Sequence, residues 1–137
     1  MARIKARNTK PEVLLRKALF SLGLRYRLHD KRLPGTPDLI FPKYRAAVFI
    51  HGCFWHGHDC KLFVVPSTNT GFWLEKIGEN RSRDEHAVSA LAALGWRVMT
   101  VWECALRGTG KWPMSELTDR IARWLGSRRK TGEIQSR

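Results

Sequence analysis

Pro37-Asp-Leu-Ile-Phe-Pro-Lys-Tyr-Arg-Ala-Ala-Val-Phe-Ile-His51 joins two short extended runs across a turn. Asp38 to Phe41 and Arg45 to Ile50 are the runs, and Pro42-Lys-Tyr supplies the turn chemistry between them. Ala46 to Ile50 is apolar without polar alternation, the pattern of a strand covered on both faces. An antiparallel hairpin turning near residues 44 and 45 places Asp38 opposite His51, so a carboxylate and an imidazole meet at one edge of a sheet. A carboxylate at the start of one strand, beside the end of its neighbour, suits a hard divalent cation near a scissile phosphate. Taken alone, Asp38 also reads as a plain turn residue after Pro37.

Outward from this hairpin the chain alternates. Upstream, Thr9-Lys-Pro-Glu12 has the form of a capping box, and Leu14, Leu15, Ala18, Leu19 and Leu22 make a helical apolar stripe ending at Gly23. Arg25 to His29 is a third extended run, and Leu33-Pro-Gly-Thr-Pro37 is a turn. Downstream, residues 52 to 70 read as a loop. A helix from about Phe72 to Leu94 follows, bent or interrupted near Gly78 and ended by Gly95. Trp96 to Trp102 is a strand, and Met114 to Leu125 a last helix. The order α-β-β-β-α-β-α predicts an α/β fold, a small mixed central sheet flanked by helices. Residues 1–126 form one domain, and 127–137 a basic flexible tail.

The chain of 137 residues carries 25 Lys and Arg against 12 Asp and Glu, a formal charge of +13, with 43% hydrophobic residues. Residues 1–45 alone hold 12 basic and 3 acidic side chains. This balance fits a folded domain drawn to a polyanion; a solvated basic surface, or a ribosomal or membrane-surface protein, are the blander readings. No run approaches the roughly 18 apolar residues of a membrane span, and Met-Ala-Arg-Ile-Lys lacks a signal-peptide core, so a cytoplasmic protein is expected. Three cysteines in a reducing compartment favour metal ligation or burial over disulfides.

All three cysteines bear on one segment, His51-Gly-Cys-Phe-Trp-His-Gly-His-Asp-Cys60. Cys53, His58 and Cys60 can supply three ligands to a tetrahedral structural zinc, and Cys104, just past the Trp96 to Trp102 strand, the fourth. His56 is an alternative to His58 on spacing. Phe54 and Trp55 either pack on the metal site or insert into a base stack. Trp73 is a third candidate wedge, while Trp96, Trp102 and Trp124 fit core positions.

Four separated motifs then agree. Leu33-Pro-Gly-Thr-Pro-Asp38, Phe49-Ile-His-Gly-Cys-Phe-Trp-His56, Phe72-Trp-Leu-Glu-Lys-Ile-Gly-Glu-Asn80 and Gly95-Trp-Arg-Val-Met-Thr-Val-Trp-Glu-Cys-Ala-Leu-Arg107 together resemble the very-short-patch repair endonucleases, within the broader PD-(D/E)XK nuclease core. The resemblance runs in order from about residue 1 to 107. It departs from the broader superfamily on the second strand, where Phe49-Ile50-His51 replaces Glu-x-Lys. One carboxylate ligand is thereby absent, and an imidazole that titrates near neutrality takes the lysine's place.

The resemblance implies an enzyme that nicks duplex DNA 5′ of the thymine in a T·G mismatch left by deamination of 5-methylcytosine. It implies catalytic magnesium, in two ions, held by Asp38 and the backbone carbonyl of Ile50. His51 and His56 are the acid–base candidates, and Glu12 works beside His56 or serves only the capping box. Cys53, His58, Cys60 and Cys104 hold the zinc. Phe54, Trp55 and Trp73 intercalate, Lys76 and Asn80 read base edges, and Met1 and Ile4 enter the minor groove. The family pattern includes a further basic arm ahead of Met1, so the expectation here is a weaker clamp or a shortened form. The implied partner is mismatched double-stranded DNA, with mismatch-repair proteins and a DNA polymerase acting downstream, and the protein a nucleoid-associated monomer without membrane contact. A nuclease of the same core without mismatch selectivity, and a non-catalytic zinc-bound DNA-binding module, are the alternatives.

Overall fold

A computed structural model describes residues 9–137. Along them run α1 (Lys10–Ser21), β1 (Arg27–Leu28), β2 (Leu39–Phe41), a 3-10 turn (Pro42–Tyr44), β3 (Ala46–His51), α2 (Thr70–Ala93), β4 (Arg97–Trp102), α3 (Glu103–Leu106), α4 (Met114–Leu125) and β5 (Thr131–Ile134). The five strands form one open mixed sheet in chain order. β1, β2 and β3 are antiparallel neighbours, while β4 and β5 add in parallel.

Both faces of the sheet are covered. Leu39, Phe41, Ala46, Val48, Met99 and Val101 point to one side, where they meet Leu15 and Leu19 of α1 and Leu117, Ile121 and Leu125 of α4. Ile40, Ala47, Phe49 and Val98 point to the other and meet Ala87 and Leu91 of α2. The period-two split of an unbroken apolar run between two cores explains why β3 shows no polar alternation. In α1, Thr9 accepts the Glu12 N–H and Pro11 occupies the first turn, as the capping pattern predicts. Only Leu15 and Leu19 of its stripe are fully buried; Leu14 and Leu22 are half exposed.

Three expectations are corrected. The hairpin pairs Leu39 with Val48 and Phe41 with Ala46, a register two residues tighter than the one that sets Asp38 against His51. Pro42–Tyr44 close a 3-10 turn and Arg45 follows with φ 48°, so the reversal consumes four residues before pairing begins. The helix expected to break near Gly78 is continuous over the 24 residues of α2. Gly78 is exposed with open space around it; Ala87 and Leu91 pack the helix on the sheet, and Ile77 is buried beside Gly57 of the loop. Residues 127–137 are not a loose tail: β5 extends the sheet along β4 from Val98↔Thr131 to Val101↔Ile134. Trp124 Nε1 donates to the Thr131 carbonyl at 2.9 Å and Trp112 Nε1 to that of Gln135 at 2.7 Å. Gly132 is the residue that lets the strand lie this close, since a Cβ there would come within 2.8 Å of the Trp124 ring.

Candidate active site and metal centre

The ends of β2 and β3 converge with α2 on an open cleft of about 280 Å³ lined by Asp38, Ile50, His51, His56, Asn80 and Asp84. Although the register differs from expectation, Asp38 still lies beside the end of β3, because its Oδ2 accepts the Ile50 N–H at 2.7 Å. Burial pushes the Asp38 carboxyl up to about 6, Glu12 adds to the rise, and the Ile50 hydrogen bond with His29 and His56 opposes it. Burial holds His51 down to about 4, helped by His56 and opposed by Asp84, so its ring is neutral at physiological pH.

The rings of His51 and His56 stack at 3.9 Å with 7° between planes. Asp84, on α2, reaches both: its Oδ2 lies 2.5 Å from His56 Nδ1 and its Oδ1 3.9 Å from His51 Nε2. A carboxylate oxygen accepts only, so Asp84 selects the His56 tautomer with its proton on Nδ1 and its lone pair on Nε2.

A second cluster lies under the same loop. Ligand atoms of Cys53, His58, Cys60 and Cys104 all fall within 4.8 Å of one another. The thiols are free, and Cys104 Sγ lies 3.6 Å from His58 Nδ1. That separation fits a tetrahedral zinc, whose sulfur–nitrogen edge is roughly 3.5 Å for bonds near 2.3 and 2.0 Å. Burial drives the Cys53 thiol far above its ordinary range, as expected where thiols crowd without a cation. The spacing left His56 and His58 as alternatives here; His58 joins the cysteines and His56 joins Asp84. Glu103 Oε1 accepts from Cys53 N at 3.1 Å, and His58 stacks on Trp102 at 4.1 Å.

From the same loop, Phe54 and Trp55 meet Trp73 of α2 and each other edge to face at 5.2 to 5.7 Å. Phe72, mostly exposed, extends them at 5.2 Å from Trp73. Phe54 and Trp55 come from the loop and Phe72 and Trp73 from the first turn of α2, and this apolar ridge is tied to the cleft through Trp55, whose carbonyl accepts from Asn80 of the cleft lining.

Over 136 residues the chain is 47% identical to the DNA mismatch endonuclease Vsr of Escherichia coli, an alignment covering 99% of this chain and 87% of that protein. The chain belongs to the Vsr family. The family model for DNA mismatch endonuclease Vsr matches residues 1–62. Two further relatives are the type II nicking enzymes V.XorIIP of Xanthomonas oryzae, 49% identical over 80% of this chain and 81% of its own, and V.NmeAIP of Neisseria meningitidis, 51% identical over 78% and 76%.

For a Vsr-family chain, several placements were not anticipated. Asp84 was missed, although it lies one helical turn beyond Asn80 on the same face of α2 as Ile77, Ala87 and Leu91, and that spacing was its signal. Asn80 is committed to the loop, its amide donating to the Trp55 carbonyl at 2.8 Å. Lys76 lies one turn earlier on α2, half-buried. The Glu12 carboxylate, carried on α1, meets His29 at 3.1 Å and Arg16 at 3.7 Å. Trp124 is a core residue and Trp96 packs at the margin of the second core, whereas Trp102 borders His51 and His58. Gln135 and Ser136 close the thiol cluster: Gln135 Oε1 lies 2.9 Å from His58 Nε2, and Ser136 N donates to Cys104 Sγ at 3.3 Å. Met1 and Ile4 lie outside the described residues. Among the described residues, no helix is long and apolar enough to cross a membrane.

Proposed function

We propose that this chain nicks duplex DNA on the 5′ side of the thymine of a T·G mismatch, the opening step of very-short-patch repair. The observation that carries this reading is the pairing of the Asp38, His51, His56 and Asp84 cleft with the aromatic ridge of Phe54, Trp55, Phe72 and Trp73. The cleft supplies hydrolytic chemistry, and the ridge supplies wedges for a base step already loosened by a wobble pair. Asp38 and the Ile50 carbonyl are the groups that would hold magnesium, which when bound polarises the phosphate and supports the departing oxygen.

The remaining work falls to the chain's own side chains. His56 Nε2, left bare by the Asp84 contact, takes a proton from the attacking water. His51, kept neutral by its burial, stacks on His56 and fixes the plane of that ring. Cys53, His58, Cys60 and Cys104 hold a structural zinc that braces the loop carrying Phe54, Trp55 and His56, so one metal cuts and another holds. Trp73 completes the ridge from α2, and Lys76 faces the phosphates or base edges beside it.

Duplexes that differ only in T·G against C·G at one position, incubated with the protein and magnesium and mapped at nucleotide resolution, test the reading. A nick 5′ of the mismatched thymine alone is the expected result. Equal cutting of both duplexes establishes a nuclease without mismatch selectivity, and binding without cutting establishes a DNA-binding module; either overturns it.

Asp84→Asn tests the acid–base assignment separately. An amide can present its NH₂ to His56 Nδ1 and stabilise the wrong tautomer, so the single-turnover nicking rate falls by roughly 10²- to 10⁴-fold. DNA affinity, measured by fluorescence anisotropy, stays within about threefold. A rate within threefold of wild type removes Asp84 from the mechanism.

A further inference from the structure

A third cluster lies behind Asp38. Ligand atoms of Glu12, His29 and Asp38 fall within 4.8 Å of one another, drawn from α1, the residue after β1, and the residue before β2. His29 Nε2 is 3.1 Å from Glu12 Oε1 and 3.8 Å from Asp38 Oδ1. All three side chains are largely buried, with exposures of 13% for His29, 3% for Glu12 and 15% for Asp38.

We propose that Glu12, His29 and Asp38 form a mixed oxygen and nitrogen cation site that takes a divalent first-row transition ion in preference to magnesium. The inference rests on Asp38 as the catalytic cation ligand and adds a second cation position on its Oδ1 side, apart from the one it shares with the Ile50 carbonyl.

Three features carry it. First, the geometry suits one ion: adjacent ligands of an octahedral centre with bonds near 2.1 Å lie about 3 Å apart, and the 3.1 and 3.8 Å separations lie within a small side-chain rotation of that edge. Second, the two Asp38 oxygens are divided. Oδ2 is occupied by the Ile50 N–H, and Oδ1 is the one presented to His29. Third, two carboxylates flank one imidazole in a largely dry pocket, where a bound cation offsets the repulsion of like charges held close together.

The imidazole decides the ion. Magnesium prefers oxygen ligands and keeps much of its water, whereas a ring nitrogen raises affinity for transition ions along the Irving–Williams order. His29 is also held where it is by the backbone: its N–H donates to the Asp38 carbonyl at 3.0 Å, and its φ of 45° lies in the left-handed region that non-glycine residues seldom occupy. The turn after β1 therefore delivers a ring nitrogen to the carboxylate pair.

Full-length protein carrying one zinc per chain and freed of excess zinc, titrated with manganese(II) without DNA, tests this. Pulsed electron paramagnetic resonance is expected to show modulation from a directly bound imidazole ¹⁴N, with manganese binding at least about tenfold tighter than magnesium in competition. His29→Gln keeps a donor for Glu12 but removes the ring nitrogen. It should abolish the ¹⁴N modulation and weaken manganese by roughly tenfold, leaving magnesium affinity within about threefold. Asp38→Asn should weaken both ions. Modulation that is absent, or that survives in His29→Gln, overturns the site, as does equal loss of both ions in that variant. Magnesium-supported nicking by the wild type is scored in parallel, so that failure of the nuclease reading is seen apart from failure of the ion preference.

Discussion

Asp38→Asn is expected to abolish nicking, to below about 1% of the wild-type rate, while making the magnesium-free protein more stable at pH 7. Loss of activity follows from removing the charged ligand that the residue before β2 offers to the cleft. The gain in stability follows from linkage. The folded carboxyl titrates at about 6 against an unfolded value of 3.8, because burial opposes ionisation. The folded state therefore binds more protons than the unfolded state across that window, and the stability it confers below 3.8 is lost as pH rises through 6. By pH 7 the buried charge costs on the order of 3 kcal/mol, which the amide does not incur. The carbonyl oxygen of the substituted amide can still accept the Ile50 N–H, so the hydrogen bond made by Oδ2 is retained.

His51 works in the opposite direction over nearly the same range. Its folded value of about 4 lies below the ordinary 6.5, so the unfolded state binds the extra proton and stability is lost as pH falls from 6.5 towards 4. In the wild type the two contributions largely cancel. In Asp38→Asn only the His51 arm remains, so the gap between variant and wild type should widen from pH 4 to 7. Urea unfolding of zinc-loaded, magnesium-free protein at pH 4, 5.5 and 7 measures that gap. Equal midpoints at pH 7 would remove the argument that this site trades stability for chemistry.

The same residues show what is legible in a single sequence. Ala46 to Ile50 gave away its two-sided burial because five apolar residues in a row leave no face for water, and α1, β4 and α4 were readable from period and caps. The hairpin register was not, since Pro42-Lys-Tyr reads as a turn of unspecified length and the left-handed Arg45 carries no residue signature. β5 was invisible for a different reason. Thr131, Gly132, Glu133 and Ile134 offer one apolar side chain, and the strand is held mainly by main-chain pairing and two tryptophan N–H groups from α4 and the loop before it. At the site, residues that sit in a short segment or in a recognisable motif were found, Cys104 and Glu12 among them, and those with neither were not. Cys53, His58 and Cys60 announce themselves in one short segment, whereas Asp84, His29 and Gln135 come from three different parts of the chain and acquire chemical meaning only through what they touch.

Cys104→Ala should produce the largest structural loss of any single substitution at the thiol cluster. In the proposed zinc site Cys104 is the one ligand outside the loop, borne on α3 immediately after β4, and would tie residues 53–60 to the sheet. Without it, three ligands remain on a single loop, and the entropy of closing that loop is no longer offset by the metal. A loss of roughly 4 kcal/mol or more is expected, in the range reserved for removal of a metal or a disulfide. The damage spreads in two directions, because Ser136 N donates to the Cys104 sulfur and Gln135 braces His58, so the end of β5 loosens with the loop. The loop also carries Phe54, Trp55 and His56, so nicking falls together with stability, although Asp38, His51 and Asp84 are unaltered. The two apolar cores include none of the four ligands, so far-UV circular dichroism at low temperature should stay near wild type. The decisive comparison is chelation: metal removal should bring the wild type's urea midpoint down to that of Cys104→Ala and leave the variant where it was. A variant that retains one zinc per chain by mass spectrometry with an unchanged midpoint would show that the loop is held by packing on Trp102 and Trp73 instead.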